Sequence, residues 1–94
     1  MIKVMIERRI AADLAEPYRK AAGKALQLAM QSDGFISGES LKDARDPHHR
    51  YVFATYRSLL DWQRWYNSPE RRAQLDELRP MLQEDERITI LEHL

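Results

Sequence analysis

The sequence contains no cysteine, which excludes disulfide bonds, thiolate metal sites and thiol nucleophiles. No apolar run approaches the roughly 20 residues that a membrane-spanning helix needs. Neither sign of charge dominates, because 15 Lys and Arg balance 15 Asp and Glu, so nothing favours a polyanionic or membrane partner. There are only 3 glycines, and they form no phosphate-cradling loop.

Size and composition indicate one globular domain over residues 1–94. The sequence is 44% hydrophobic and 32% charged, which is ordinary for a folded protein. A chain of this size buries only about 60–65% of its unfolded surface, so a partner subunit would add stability. The N-terminus enters a strand-like pattern without the features of a signal peptide, so we expect a cytoplasmic protein.

The first strand is predicted at residues 2–10, where apolar and polar residues alternate. Ile2, Val4 and Ile6 share one face, and Arg8 falls on that same apolar face. An inward arginine needs an anion or several acceptors, because its desolvation is costly. Arg8 therefore either reaches solvent at the strand's end or lines a pocket and stabilises an anionic or carbonyl group.

The other elements follow from periodicity and end signals. Asp13 and Glu16 are spaced as a capping box, and Gly34 suits the open backbone that ends the first helix. Gly38 suggests a bulge or a close backbone approach in the second strand. The third strand has no polar face, so we expect both of its faces to be covered. The predicted helices are 13–31, 58–66 and 69–82, and the further strands are 35–41, 51–56 and 87–91.

The predicted order is β-α-β-β-α(α)-β, which is the ferredoxin-like α+β arrangement with an antiparallel four-stranded sheet. Helices cover only one face of such a sheet. The other face would expose apolar residues of the first and third strands. A face-to-face homodimer, giving a dimeric α/β barrel, would cover them.

The stretch from Ser58 to Arg72 contains both tryptophans. Trp62, Trp65 and Tyr66 are spaced i, i+3, i+4 and share one face of a helix. Ser58 is followed three residues later by Asp61 in the form of a capping box, and Ser68-Pro69 begins a second helix. The three rings are either core residues or the walls of a pocket for a flat organic molecule.

Other polar groups give weaker signals. His48 and His49 are adjacent on a turn, where they are solvated residues or a base or lid of a site. Asp76-Glu77 and Glu84-Asp85-Glu86 are interpreted as solvated. The third strand has a faint likeness to RNA-recognition domains, but it lacks their glycines and the net charge is +0, so no nucleic-acid partner is expected.

Five stretches carry a resemblance to a known family. They are Gly34-Phe35-Ile36-Ser37-Gly38-Glu39, Asp46-Pro47, Tyr56-Arg57, Ser58-Leu59-Leu60-Asp61-Trp62-Gln63-Arg64-Trp65 and Ser68-Pro69-Glu70-Arg71. Together they resemble the antibiotic biosynthesis monooxygenase domain, and the resemblance spans nearly the whole chain. It implies a dimeric α+β barrel with a pocket between sheet and helices in each subunit. Members of that family include cofactor-free oxygenases that convert phenolic or quinol-type aromatics to quinones, haem-degrading oxygenases, signal-molecule isomerases and proteins with no assigned reaction.

The resemblance also separates the branches of the family. Haem-degrading members would have an asparagine on the first strand and a histidine ligand on the helix after the tryptophan. Those positions hold Arg8 and about Leu75, so haem iron would have no obvious axial ligand and haem is not expected. Some monooxygenases pair the tryptophan with an asparagine, for which Asn67 is a poor substitute.

We therefore expect a cofactor-independent monooxygenase that acts on a small hydrophobic phenol- or quinol-type aromatic, with O₂ as co-substrate and no metal. The alternative is a non-catalytic module of the same fold that binds a small molecule or only dimerises. The candidate catalytic residues are Trp65, Arg8 and His49, and the candidate pocket walls are Trp62, Tyr66, Phe53 and Tyr56.

Overall fold

The computed structural model describes residues 1–94 as four antiparallel strands with three α-helices packed on one face of the sheet. None of the helices combines the length and the apolarity needed to cross a bilayer. The ferredoxin-like order predicted from the sequence is confirmed. The elements are β1 (Ile2–Arg9), α1 (Ala15–Ala29), β2 (Phe35–Lys42), β3 (His49–Tyr56), α2 (Leu59–Tyr66), α3 (Pro69–Leu78), a 3₁₀ turn (Arg79–Met81) and β4 (Arg87–Glu92).

Strand β1 is an interior strand of the sheet and lies between β3 and β4, because the sheet order is β2-β3-β1-β4. Its predicted alternation is confirmed: Ile2, Val4, Ile6 and Arg8 are buried beneath the helices. Each fully buried aliphatic side chain of this kind contributes about 1.5–3 kcal/mol. The main core joins this face to α1 and α2, and it contains Ile2, Val4, Ile6, Ala29, Val52, Ala54, Tyr56, Trp62 and Trp65.

The opposite face of the sheet has no helix over it. Met5 pairs with Phe53, and Leu41 pairs with Tyr51, so these side chains share that face across three strands. Met5, Tyr51 and Phe53 are half-buried, and Leu41 is exposed. The same parity places Lys3, Glu7 and Arg9 at positions flanking Met5, so an apolar centre is bordered by charged residues. We call this surface the open face below.

The capping box predicted at the start of helix α1 is wrong. Asp13 adopts a φ of 70°, and Leu14 occupies the N-cap without any side-chain hydrogen bond. The left-handed turn at Asp13 replaces the side-chain cap that the sequence suggested. Glu16 instead accepts a hydrogen bond from Arg19 at 2.7 Å.

The irregularity of β2 lies before Gly38, not at it. The pairing register shifts between Phe35 and Ser37, so Phe35 faces the helices while Ser37 faces away. The predicted close approach at Gly38 is confirmed, because a Cβ there would lie 2.9 Å from the Phe35 ring and 3.1 Å from Leu26. Phe35 thus fills the space that a side chain at position 38 would need.

The two predicted starts of α2 and α3 are confirmed. Ser58 Oγ accepts from the Asp61 amide at 3.2 Å and donates to Asp61 Oδ2 at 2.9 Å. Ser68 Oγ accepts from the Arg71 amide at 3.2 Å, and Pro69 occupies the first turn. Helix α3 is shorter than predicted, because the chain narrows to a 3₁₀ turn at Pro80, which lacks an amide donor.

Candidate active site

A cavity of about 40 Å³ lies between the helix-facing side of the sheet and the three helices. Of the 14 residues that line it, 11 are hydrophobic. The other three are Arg8, Arg71 and Gln74, and all three are buried. The cavity therefore has an apolar body and a cationic, hydrogen-bonding end.

Tyr56 and Trp62 form an aromatic wall of the cavity, with ring centroids 5.6 Å apart and planes at 66°. The Tyr56 hydroxyl lies 2.9 Å from Ser32 Oγ. Ser32 Oγ donates to the Ala29 carbonyl at 2.5 Å, so the Tyr56 hydroxyl is the donor to Ser32. Burial raises the pKa of Tyr56, so this side chain acts as a neutral wall.

The polar end is held by a carboxylate shared between two arginines. Arg8 Nε donates to Glu86 Oε2 at 2.9 Å, and Arg71 Nη2 donates to Glu86 Oε1. Arg8 Nη1 also donates to the Tyr18 hydroxyl at 3.3 Å. The Glu86 side chain is only 7% exposed, so this pairing is screened from water. We call Arg8, Arg71 and Glu86 the buried triad.

Contacts with Arg8 and Arg71 shift the pKa of Glu86, and contacts with Tyr18 and Glu86 shift the pKa of Arg8. Burial raises the pKa of Glu86, but the charges and hydrogen bonds of Arg8 and Arg71 outweigh it and hold the pKa below its usual value. Burial likewise lowers the pKa of Arg8, and Tyr18 and Glu86 reverse that effect, so the net direction is upward. At neutral pH Glu86 therefore carries its negative charge between the two guanidiniums.

Trp65, Arg8, Trp62 and Tyr56 line the cavity, as the sequence suggested for them. Phe53 and His49 do not, because both have the strand parity of the open face: Phe53 pairs with Met5, and His49 pairs with Arg9. Residues 53 and 56 of one strand cannot share a face, so the expectation of a joint wall is corrected. The His49 ring instead lies 4.4 Å from that of Tyr51.

Tyr66 also lies outside the cavity. It is 45% exposed, and its ring packs 5.7 Å from the centroid of Trp62. The guanidinium carbon of Arg71 lies 5.5 Å from the centre of the Tyr66 ring. Tyr66 therefore covers Arg71 from outside and does not touch the space that a ligand would occupy.

Three residues of the polar end, Arg71, Gln74 and Glu86, were not recognised from the sequence. Arg71, Gln74 and Leu78 form the buried face of α3 at spacing i, i+3, i+7, but two of them are polar and hydropathy passes over them. Glu86 was interpreted as solvated because it follows two acidic residues, and this is wrong. Its burial is explained by the two arginines, of which only the inward-facing Arg8 gave a sequence signal.

Trp65 lines two spaces. Besides the cavity, it lines a surface cleft together with Leu28, Ser32 and Arg64, and this cleft is larger in volume than the cavity. No other residue lines both of them. Trp65 is therefore the residue at which the cavity and this cleft adjoin.

The cavity does not suit haem. None of its lining residues is a histidine, and Leu75, at the expected ligand position, is not among them.

The sequence model of the antibiotic biosynthesis monooxygenase family matches residues 1–76. The chain belongs to this family. The matched part contains Arg8, Trp65, Arg71 and Gln74, whereas Glu86 lies beyond it. The resemblance inferred from the motifs is confirmed, and family membership supports a monooxygenase-type role.

Solved structures agree on the fold at low sequence identity. A candidate antibiotic biosynthesis monooxygenase from Nitrosomonas europaea has a TM-score of 0.90 at 16% identity, covering 100% of this chain and 99% of its own. One from Deinococcus radiodurans has a TM-score of 0.90 at 20% identity, covering 99% and 92%. SnoaB, a cofactor-independent oxygenase from Streptomyces nogalater, has a TM-score of 0.88 at 9% identity, covering 98% and 91%. No curated protein sequence matches the chain.

Proposed function

We propose that the chain is a cofactor-independent monooxygenase that oxidises a small phenol- or quinol-type aromatic in the cavity beneath Trp65. The observation that carries this proposal is the pairing of an apolar, aromatic-walled space with two buried guanidiniums at one end. A flat ring fits the first feature, and the oxygen of a phenolate fits the second.

The chemistry needs little from the protein besides this environment. A phenolate transfers one electron to O₂, and the phenoxyl radical and superoxide then combine at the ring carbon opposite the oxyanion, where the peroxide takes up a proton. Loss of the hydrogen on that carbon as a proton expels hydroxide from the O–O bond, and the proton and hydroxide make water, so one phenol and one O₂ give one quinone and one water. Arg8 and Arg71 favour the phenolate over the phenol, because nearby positive charge lowers the pKa of a bound hydroxyl. Trp62 and Trp65 exclude water from the reacting ring.

Substrate binding must enlarge the cavity. A space of about 40 Å³ holds one or two water-sized groups and no aromatic ring. Because Trp65 lines both the cavity and the surface cleft, rotation of its indole would join the two spaces. Binding and movement of Trp65 are therefore expected to occur together.

The proposal is tested by O₂ uptake with a panel of phenols and quinols. We expect one O₂ consumed per quinone formed from a phenol, and a loss of at least about 100-fold in rate for Trp65→Ala, since positioning effects reach this size. Leu60→Ala, a change at an exposed position of the same helix, is the matched control and should retain the wild-type rate. Equal rates for wild type and Trp65→Ala, both at the background level, would rule the reaction out.

The alternative, ligand binding without turnover, has one observation in its favour. Glu86 is the only carboxylate at the polar end, and it is already shared by Arg8 and Arg71, so no free general base faces the cavity. The same panel separates the two functions. Saturable quenching of tryptophan fluorescence without O₂ uptake would favour binding alone.

We also propose that two copies pack through their open faces. Met5, Tyr51 and Phe53 lie on one uncovered sheet surface, and apolar patches of this kind are usually covered in soluble proteins. Met5 and Phe53 are direct partners on the two central strands, so a second copy of the same sheet can cover this apolar centre by two-fold symmetry.

Sedimentation velocity at micromolar concentration should give a dimer for the wild type and a monomer for Phe53→Glu, because the variant would bury two carboxylates in the interface. Leu60→Glu, on the helical side of the molecule, is the control and should remain dimeric. A wild-type monomer would contradict the proposed packing, as would a Phe53→Glu variant that still dimerises.

A further inference from the structure

The buried polar end of the cavity has a net positive charge. Arg8 and Arg71 are each 5% exposed, and the single carboxylate between them, Glu86, is 7% exposed. Two guanidiniums and one carboxylate leave a net charge of +1 away from water. A buried charge without a partner is costly, so the arrangement favours any ligand that brings the missing negative charge.

The two arginines also have more N–H donors than they use in hydrogen bonds within the protein. A guanidinium has five N–H groups. Arg8 donates two side-chain hydrogen bonds, and Arg71 donates only one, to Glu86. No fully enclosed side-chain nitrogen or oxygen in the molecule lacks a partner. The unused donors of Arg71 must therefore border accessible space.

Gln74 supplies a neutral hydrogen-bonding group at the same end. It is only 6% exposed and lines the cavity. No side-chain hydrogen bond joins its amide to another residue, and no fully enclosed side-chain nitrogen or oxygen lacks a partner, so the amide oxygen and nitrogen both reach accessible space. They are therefore free to exchange hydrogen bonds with a ligand or water.

Arg71 and Gln74 are three residues apart on α3, so their side chains lie side by side on the buried face of the helix. We propose that they form the recognition site for the anionic group of the ligand, and that the ligand is an aromatic monoanion. Arg8 adds its positive charge to this site, while Glu86 and Tyr18 hold its guanidinium in place. This inference deepens the proposed function and rests on it in placing the ligand in the same cavity.

The volume of the cavity fits the anionic group of the ligand and not its aromatic ring. About 40 Å³ next to Arg71 and Gln74 is room for a carboxylate or phenolate oxygen group but not for the ring attached to it. The ring would occupy the space opened by rotation of Trp65. The anionic group would bind where Arg71 and Gln74 already lie, whereas the ring would bind only after Trp65 has rotated.

Benzoate and benzamide are the test probes, because they share shape and ring and differ in charge. We expect benzoate to bind at least about tenfold more tightly than benzamide, as a charged hydrogen-bond partner requires. Binding is measured by isothermal titration calorimetry and by quenching of tryptophan fluorescence. Equal affinity for the two probes would overturn the proposal, as would the absence of benzoate binding.

Two variants of Gln74 assign the site while leaving the buried triad in place. Gln74→Leu keeps the size of the side chain and removes its hydrogen bonds, so benzoate should bind about fivefold to tenfold more weakly. Gln74→Glu supplies the missing negative charge from the protein itself. It should weaken benzoate binding by more than about tenfold without lowering Tm.

Arg72→Gln is the control, because Arg72 is the exposed neighbour of Arg71 and its loss should leave benzoate affinity unchanged. Benzoate affinity equal to wild type in both Gln74 variants would overturn the assignment. The test is independent of turnover. Selective benzoate binding with no oxidation of any phenol would refute the oxygenase and keep the anion site. Oxidation of a phenol that Gln74→Glu leaves unchanged would refute the anion site and keep the oxygenase.

Discussion

Replacing Glu86 by alanine is expected to lower the free energy of unfolding by about 3–5 kcal/mol. The reason is that Arg8 and Arg71 are buried and share this one carboxylate, so its removal leaves two guanidiniums without a counter-charge. Domains of this size have a total stability of only about 5–15 kcal/mol. We therefore expect a fall in Tm of more than about 12 °C, measured by thermal and urea unfolding.

Glu84→Ala is the matched control, two residues away in the same acidic run. The Glu84 side chain is 67% exposed, and its carboxylate lies 3.6 Å from Arg9, which is a surface pair. Such pairs contribute about 0–1 kcal/mol, so the variant should be nearly as stable as wild type. If Glu86→Ala and Glu84→Ala behaved alike, the buried triad would have no structural role.

The pH dependence of the Glu86 contribution has a definite sign. The pKa of Glu86 in the folded protein is held below its ordinary value of 4.5. A carboxyl group with a depressed folded pKa stabilises the fold fully above its unfolded pKa and loses that contribution as pH falls through the folded pKa. The stability difference between wild type and Glu86→Gln should therefore be constant near neutral pH and shrink below about pH 4.5.

Gly34→Ala is expected to destabilise the protein by about 2–4 kcal/mol. Gly34 adopts a φ of 81°, which is unfavourable for any residue with a Cβ. The new Cβ would also lie 2.4 Å from Cγ of Asp61, whose carboxylate is held by Arg57 and Ser58. The turn into β2 and the first turn of α2 would have to separate. Urea unfolding monitored by circular dichroism measures the loss.

The same substitution at Gly23 should have the opposite sign. Gly23 lies inside α1, and a Cβ there would meet nothing within 4 Å. Alanine is favoured over glycine in a helix interior by about 0.5–1 kcal/mol, so Gly23→Ala should stabilise the protein. Equal effects of the two substitutions would show that the Gly34 conformation and its contact with Asp61 do not constrain the fold.

Most of the fold could be predicted from the sequence because it is encoded locally. The alternation of β1, the serine caps of α2 and α3, and Gly34 at a turn each depend on residues within a few positions of one another. The errors arise where that local information competes with a contact. Asp13 has the chemistry of a cap, but the backbone turns there, and the bulge falls before Gly38 because Phe35 packs under it.

The candidate site was less predictable, since its polar end is assembled from distant segments. Arg8 could be identified because a charged residue interrupted an apolar alternation. Arg71 and Gln74 interrupt no such pattern, and Glu86 lies among solvated acids. The misplacement of Phe53 and His49 has another cause: an aromatic composition indicates burial, but strand parity decides which face is buried.

The buried triad also has a kinetic consequence. Glu86 pairs with Arg8 across a separation of 78 residues in a chain of 94. A contact between the two ends of the chain closes the longest loops, and it forms only after the intervening segments have collapsed. Interactions made late in folding act mainly on the unfolding rate. The charges at the polar end of the cavity should therefore govern how long the native protein persists once it is folded, more than how fast it folds.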